Sequence, residues 1–391
     1  MPLVYYITKY TTNPNKQSNV WILATILFSI FASFSFALSK TALTKDWLFV
    51  LAKKDSLIDE VGENKISKLS LHNSFANIIY QLSSVIEPYL SAAIFYFFEV
   101  EVVCRVIGTI NIALGITEYF FLKHVYRNVP TLKGKKVAEG DGTEMVDLMN
   151  APPNATETVN SNMDFYEKKV GVHIKNLLVY FTQPTSVIAL SLVMLYFTVL
   201  EFDGFSINYA LENKVDQAVL GNFRSMGAVF GLLGSVSFPF IEKVIGIQVT
   251  GLVGFVLHQS FLWASVVSMF LPGSKYRLLD EQSEEWKNSK TSIHTFLAGI
   301  TCSRFGLWLL DMSITQQIQL SIDPSIMNLI FGYQSVFCQI ATLLRNYCVI
   351  QIPDIDEYGT LVILSICSAI FALCLYITSM VHKKIKERFL T

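Results

Sequence analysis

Charged residues are scarce in this sequence. Asp, Glu, Lys and Arg make up 16% of the 391 residues, whereas a soluble domain usually carries about 25%. So few charges cannot cover a water-facing surface of this size, and 52% of the residues are apolar. The scarcity argues against a cytosolic enzyme, a disordered chain, a disulfide-rich secreted scaffold and a nucleic-acid-binding protein with a basic face. The sequence therefore predicts an all-α polytopic membrane protein.

Catalytic and metal-binding motifs are lacking as well. No GxSxG, HExxH, GxxxxGK or strand-linked GxGxxG pattern occurs, so we expect that the chain is not an enzyme. The six cysteines lie in or beside apolar runs without the CxxC spacing of a metal site. His258 falls inside an apolar run, where a neutral histidine bonded to a neighbouring helix is the expected role.

Nine stretches are long and apolar enough to cross the bilayer, which takes about 20 residues per helix. The second and eighth carry polar side chains such as Gln81 and Gln334, which indicate a protein interior or an aqueous cavity rather than lipid. The predicted spans are Val20 to Leu43, Asn73 to Phe98, Val102 to Leu122, Pro184 to Phe202, Gly221 to Ile241, Val249 to Leu271, Ile293 to Leu320, Ile326 to Ile350 and Tyr358 to Val381.

Lysine and arginine accumulate after the first, third, fifth and ninth predicted spans, whereas the alternate loops are acidic or mixed. Because basic residues mark cytosolic loops, the C-terminus is predicted inside and Met1 outside. The domain prediction is an external tail (1–19), a partial N-lobe of three helices (20–122), a cytosolic linker (123–175), a C-lobe of six helices (176–382) and a cytosolic tail (383–391). Three plus six helices suggest a transporter of two six-helix lobes without its first three helices.

Ionisable residues inside spans are costly, about 2.5–3.5 kcal/mol each at the helix centre, so they indicate function or pairing. Arg304 and Asp311 stand seven residues apart on one helical face and suggest either a cavity wall or an interface anchor pair. Asn111 and Glu118 share that spacing and suggest part of a site for a hard cation, unless Glu118 is solvated at the membrane edge.

Three glycines in the fifth predicted span indicate close helix packing. They are Gly227, Gly231 and Gly234.

Several strings together resemble the ferroportin family of iron exporters, in matching order and with matching intervals from about residue 20 to the C-terminus. They are Thr44-Lys45-Asp46-Trp47, Glu118-Tyr119 continuing to Lys123-His124-Val125-Tyr126, Gln183-Pro184, Leu195 through Asp203, Phe270-Leu271-Pro272-Gly273-Ser274, and Ser303 through Trp308 continuing to Asp311 and Thr315-Gln316.

The resemblance implies a major-facilitator-like fold that exports ferrous iron by alternating access, with the present spans similar to the family's fourth to twelfth helices. It implies a plasma-membrane location, with membrane lipids around the helices. It places Asp46 and Arg304 near cytosolic or interlobe contacts and Asp203 near the external end of the fourth span. Asn111 and Glu118 match positions that the family uses to help hold calcium.

The sequence departs from the family at the C-lobe metal site. Gly204 and Arg345 stand where the family has a cysteine and a histidine, and neither glycine nor an obligate cation ligates iron. Cys338, seven residues before Arg345, is a candidate for a relocated ligand. Two alternatives therefore stay open: a transport-inactive or truncated paralogue, and a facilitator-type carrier for another substrate, such as an organic anion that Arg304 and Arg345 would suit.

Overall fold

The computed structural model describes residues 65–129, 175–202, 204–275, 285–286, 289–323, 326–352, 354 and 357–390, together with positions 31, 35, 43 and 47. In these ranges the chain forms helices and no strand. The helices are α1 (Lys65–Phe97), α2 (Val100–Asn128), α3 (Lys175–Thr182), α4 (Ser186–Leu195), α5 (Gly204–Glu212), α6 (Gln217–Ile245), α7 (Ile247–Ser268), α8 (Thr291–Ser321), α9 (Met327–Gln351) and α10 (Tyr358–Leu390).

Six of these helices are long and apolar enough to cross a membrane: α2 and α6 through α10. They coincide with the third and the fifth to ninth predicted spans, which confirms the all-α polytopic class. The second predicted span lies in α1, a helix of 33 residues that does not reach the same apolarity. The first predicted span falls outside the described residues apart from isolated positions, so the total of nine stays a prediction.

The fourth predicted span, Pro184 to Phe202, is helical only from Ser186 to Leu195. At its start α3 and α4 meet at a bend of 96° around Gln183, Pro184 and Thr185. Proline lacks the backbone N–H that continues a helix and disfavours the helical conformation of the residue before it, which accounts for the end of α3. Helix α4 then ends at Leu195, and residues 196–202 are not helical despite their apolar composition.

The chain divides into two compact units. The first comprises residues 1–58 and 86–155, and the second comprises residues 59–85 and 156–391. Within the first unit, Trp47 stacks on Tyr126 with ring centroids 6.2 Å apart, and an ion pair joins Glu101 and Arg105 along α2. The part of α1 before Ile86 belongs to the same compact unit as the C-terminal helices, and the three-helix N-lobe (20–122) stays a prediction.

Helix α8 forms the core of the second unit, where it packs against α6 and α7. Phe238 of α6 and two residues of α8, Leu309 and Met312, are fully buried in one cluster. Between α7 and α8 the backbones touch: a Cβ on Gly306 would meet the backbone N of His258 and would lie 2.6 Å from the O of Gly254. Only glycine at position 306 permits that approach, so the close contact between α7 and α8 depends on this residue.

A single residue joins α6 to α7. Helix α6 begins after Asp216, whose side chain accepts a hydrogen bond from the N–H of Ala218 at 2.9 Å. It ends at Gly246, which has φ of +80°, a conformation that glycine adopts without a Cβ penalty. Two membrane-length helices are thereby joined by Gly246 alone.

Candidate functional site

The most distinctive feature of the second unit is the non-helical break that follows α4, residues 196–202. Its backbone groups are bonded by side chains of other elements: the N–H of Val199 donates to Ser365 of α10 at 2.9 Å, and Ser206 of α5 donates to the carbonyl of Val199 at 2.8 Å. Irregular backbone at membrane depth requires such internal partners, and in transporters it commonly forms the binding site. The break is therefore the candidate transport site.

Arg345 of α9 closes one side of the break. Its side chain is 9% exposed, its guanidinium forms an ion pair with Glu201, and it donates to the carbonyl of Thr198 at 3.2 Å. A further hydrogen bond runs from its Nε to Asn346 at 3.2 Å. Arg345 stands where the resemblance implies a histidine, and here it binds both the acidic side chain of Glu201 and the backbone carbonyl of Thr198.

Acidic and aromatic side chains lie around the same break. Tyr196, its first residue, is within electrostatic range of Asp311, Glu201, Cys338 and Tyr80. Asp311 lies in α8 and Glu201 lies in the break, so the charges of carboxylates from two elements act on Tyr196. Carboxylates are ligands for hard and borderline divalent cations, which makes this region able to attract a metal ion.

Arg304 lies on α8, on the same helical face as Asp311, as predicted from the seven-residue spacing. Its guanidinium lies over the ring of Phe202, 6.0 Å from the ring centre. Phe202 is the last described residue of the break, and a Cβ on Gly227 of α6 would lie 3.0 Å from its ring. Arg304 therefore anchors the far end of the break between α6 and α8.

The helix that begins at Gly204 packs by aromatic stacking. The ring of Tyr209 in α5 lies 3.8 Å from that of Tyr358 at the start of α10. Burial raises the pKa of Tyr209 to about 12, so its hydroxyl stays protonated. Asp203, which precedes Gly204, lies outside the described residues, and so does Asp46, so their predicted roles stay predictions.

Cys338 lies in an apolar cluster with Val193 of α4 and Ala341 of α9. Near it, the side chain of Gln334 donates to the carbonyl of Ala189 at 2.9 Å and accepts from the hydroxyl of Tyr180 at 2.5 Å. These contacts tie α3, α4 and α9 together. The surroundings of Cys338 are those of a packed side chain rather than of a metal ligand.

Asn111 and Glu118 lie in α2, and both side chains are exposed. The described part of the chain contains no group of three or more His, Cys, Asp or Glu residues placed to hold a metal ion. The calcium role that the resemblance implies for the two positions therefore stays a prediction.

Two further predictions about packing are confirmed. The ring of His258 donates from Nδ1 to the carbonyl of Ser303 on the neighbouring helix, at 3.1 Å. A Cβ on Gly231 would lie 2.7 Å from the ring of Trp308, and one on Gly234 would lie 2.6 Å from the carbonyl of Phe305. The glycines of α6 are thus contact points with α8.

Sequence reasoning missed Glu201 as a site residue. The residue lies within the Leu195-to-Asp203 string, but its partner Arg345 is 144 residues further along the chain. The sequence shows an acidic residue next to Phe202-Asp203 and an arginine inside a later span. These two features suggest an ion pair, but they do not identify its two members.

Membrane-length helices, a broken span and ionisable side chains around the break define a class of protein, the polytopic membrane transporter.

Comparisons identify the family. Residues 2–369 match the family described as Ferroportin1. Solute carrier family 40 member 1 of Danio rerio is 26% identical over 424 residues, which cover 93% of this chain and 74% of that protein. Ferroportin of Homo sapiens is 25% identical, and the match covers 83% of this chain and 66% of that protein.

The fold agrees with that assignment. A solved structure of a bacterial homologue of the iron transporter ferroportin, in its outward-facing state, superimposes with a TM-score of 0.66 at 20% identity and covers 94% of this chain and 75% of that one. The major-facilitator-like architecture is therefore confirmed. The chain belongs to the ferroportin family, whose members are integral membrane transporters and not enzymes. It spans about two thirds to three quarters of the length of these relatives.

Proposed function

We propose that this protein exports ferrous iron across a membrane by alternating access. The observation that carries the proposal is the break after α4, where Glu201 and Asp311 approach one region of a transporter of the ferroportin family. The ferrous ion accepts carboxylate ligands, and a transport site must hold its ion weakly enough to release it. The two carboxylates in the described part of the site suit such weak binding.

Arg345 changes how this site would work. Its guanidinium already pairs with Glu201, so the arginine supplies a fixed positive charge where a metal ion would otherwise neutralise the carboxylate. An iron ion entering the break must displace that pair or bind beside it at Asp311. We therefore propose that Arg345 lowers the iron affinity of this lobe and that Asp311 is the principal ligand in the described part of the site.

The second candidate function is transport of an organic anion. The observation that favours it is the presence of two arginines against the break, Arg345 at Thr198 and Glu201 and Arg304 at Phe202. Arginine binds carboxylate groups through paired hydrogen bonds. A transport-inactive paralogue is the third candidate, because Gly204 and Arg345 replace the ligands that the resemblance implies.

Iron efflux from loaded cells tests the proposal. Cells that express the chain are loaded with radioactive iron, and efflux is compared among the wild type, Asp311→Asn and Gln339→Leu, an exposed position of α9 that serves as the control. The proposal predicts efflux above untransfected cells, loss with Asp311→Asn and no change with Gln339→Leu. Absence of efflux in a wild-type protein present at the surface would overturn it, and anion-dependent flux in the same cells would establish the second candidate.

We propose the plasma membrane as the location, from the resemblance to exporters. Labelling of intact cells with a membrane-impermeant amine reagent would recover the protein if the location is correct. Recovery only from internal membranes would contradict it.

A further inference from the structure

A buried carboxyl group lies away from the break, at the end of the second unit where α1 begins and where α6 and α8 end. Glu242 stands one turn before the end of α6, and it is 5% exposed. The sequence prediction places this end of the bundle on the cytosolic side. A buried carboxyl is costly to leave charged, so its partners decide which protonation state this end of the protein prefers.

The partners of Glu242 are neutral. The side-chain amide of Gln316 in α8 donates from Nε2 to Oε1 of Glu242 at 2.8 Å, and the hydroxyl of Ser70 in α1 lies against the same carboxyl. One turn further along α8, Gln319 accepts from the amide of Asn73 in α1 at 2.8 Å. Three helices are therefore joined through side chains that carry no positive charge.

The side-chain amide of Gln316 has a hydrogen-bond partner at its Nε2 only. Gln316 is 0% exposed, and its Oε1 has no hydrogen-bond partner, although its Nε2 donates to Glu242. An acceptor buried without a donor costs about 1–3 kcal/mol. A carboxylate cannot supply the missing donor, whereas a neutral carboxylic acid has an O–H for it. Acid and amide would then form two parallel hydrogen bonds.

We propose that Glu242 is a proton-binding site whose neutral acid form holds α1, α6 and α8 together at this end of the protein. The bound proton forms the O–H of Glu242, which donates to Oε1 of Gln316 while Nε2 of Gln316 donates to the other carboxyl oxygen. On release, the proton passes to water, the carboxylate keeps one of the two hydrogen bonds, and Oε1 of Gln316 loses its donor. Proton binding thereby stabilises closure of this end, whichever solute the transporter carries.

Other titratable groups lie on the elements around Glu242. On the first two turns of α1 they are Lys65, Lys68 and His72, and Nδ1 of His72 donates to the backbone carbonyl of Lys68 at 2.8 Å. On α6 the neighbouring Lys243 is exposed. No charged residue occurs in the last two turns of α8, from Thr315 to Ser321. The first two turns of α7, from Ile247 to Gly254, contain none either. His72 is therefore the group that a pH experiment must separate from Glu242.

The first test detects the proton. Infrared difference spectra of the purified full chain between low and high pH report the C=O band of neutral carboxylic acids. The proposal predicts a band that is absent from Glu242→Gln and retained in His72→Asn. The glutamine variant is expected to fold, because its amide forms the same two hydrogen bonds with Gln316 as the acid does. A band of unchanged size in Glu242→Gln would overturn the proposal.

The second test detects closure. Cysteines placed at Asn73 and Gln319, whose side chains touch, are cross-linked at a series of pH values, and the linked peptide is located by mass spectrometry. The yield should fall roughly tenfold as pH rises, since one buried hydrogen bond is lost. It should stay high at every pH with Glu242→Gln and keep its pH dependence with His72→Asn. The opposite pattern would overturn the proposal, and neither test requires iron.

Discussion

Removal of the Arg345 side chain should destabilise the second unit substantially. Breaking a buried ion pair from one side costs about 3–5 kcal/mol, whereas an exposed pair contributes about 0–1 kcal/mol. Here the arginine side chain is 9% exposed and that of Glu201 is 38% exposed, so we take about 2 kcal/mol for the pair. The lost hydrogen bond to Thr198 adds about 1 kcal/mol. Arg345→Leu should therefore cost about 3 kcal/mol.

Thermal unfolding of the purified protein in detergent measures that cost. At about 2–4 °C for each kcal/mol, Arg345→Leu should lower Tm by about 6–12 °C. Glu201→Gln should lower Tm by a smaller amount, because it leaves the bond to Thr198 in place. The double variant should lose less than the sum of the two single losses, by a coupling of about 1–2 kcal/mol.

A matched control is available in α2. Arg105 forms an ion pair with Glu101 one helical turn away, and the Arg105 side chain is 64% exposed. Arg105→Leu should change Tm by less than about 2 °C, because exposed pairs of this kind contribute little. If Arg345→Leu also stayed within that range, or if the losses of Arg345→Leu and Glu201→Gln were additive, the pair would not hold the break.

Three other changes test the packing and the site. Gly306→Ala should prevent stable folding, because its Cβ would collide with the backbone of α7; yield of monodisperse protein measures this. Gln334→Leu should lower stability by about 1–3 kcal/mol, measured by thermal unfolding, because it leaves the buried hydroxyl of Tyr180 without its hydrogen bond to Gln334. Gly204→Cys combined with Arg345→His should raise the affinity for Fe²⁺ in equilibrium titration, since it restores the two ligand types that the resemblance implies.

Each of these changes has a control and a contradicting result. A Cβ on Gly332 of α9 would meet nothing within 4 Å, so Gly332→Ala should fold normally, and equal yields for the two glycine variants would refute the packing argument. Gln339 is exposed on the same helix, so Gln339→Leu should leave Tm unchanged. Unchanged Fe²⁺ affinity in the Gly204 and Arg345 double variant would show that these two positions do not shape the site.

The membrane-length helices could be predicted because hydrophobic length is a local property of the sequence. The α6 glycines were predictable for the same reason, since small residues repeated along one span indicate a packing face. The break after Leu195 was not predictable, because residues 196–202 are as apolar as a span and leave the helix only where Ser365 and Arg345 supply hydrogen bonds.

The pairs that form the site and the proton-binding cluster join residues distant in sequence. Glu201 and Arg345 are 144 positions apart, and Glu242 and Gln316 are 74 apart. Their residue types suggested buried polar contacts, but only the packing of α8 against α6 and of the break against α9 identifies the partners. The sequence shows that Arg345 stands where the resemblance implies a ligand. It does not show that Arg345 binds the break.

Flux of ferrous iron through the purified chain in liposomes tests the central claim most directly. Liposomes loaded with an iron-sensitive dye would contain either wild-type protein or Asp311→Asn as the only protein. Fe²⁺ added outside should reach the dye faster with the wild type than in empty liposomes, and Asp311→Asn should abolish the difference. Wild-type flux equal to that of empty liposomes, in protein shown to be folded, would contradict it.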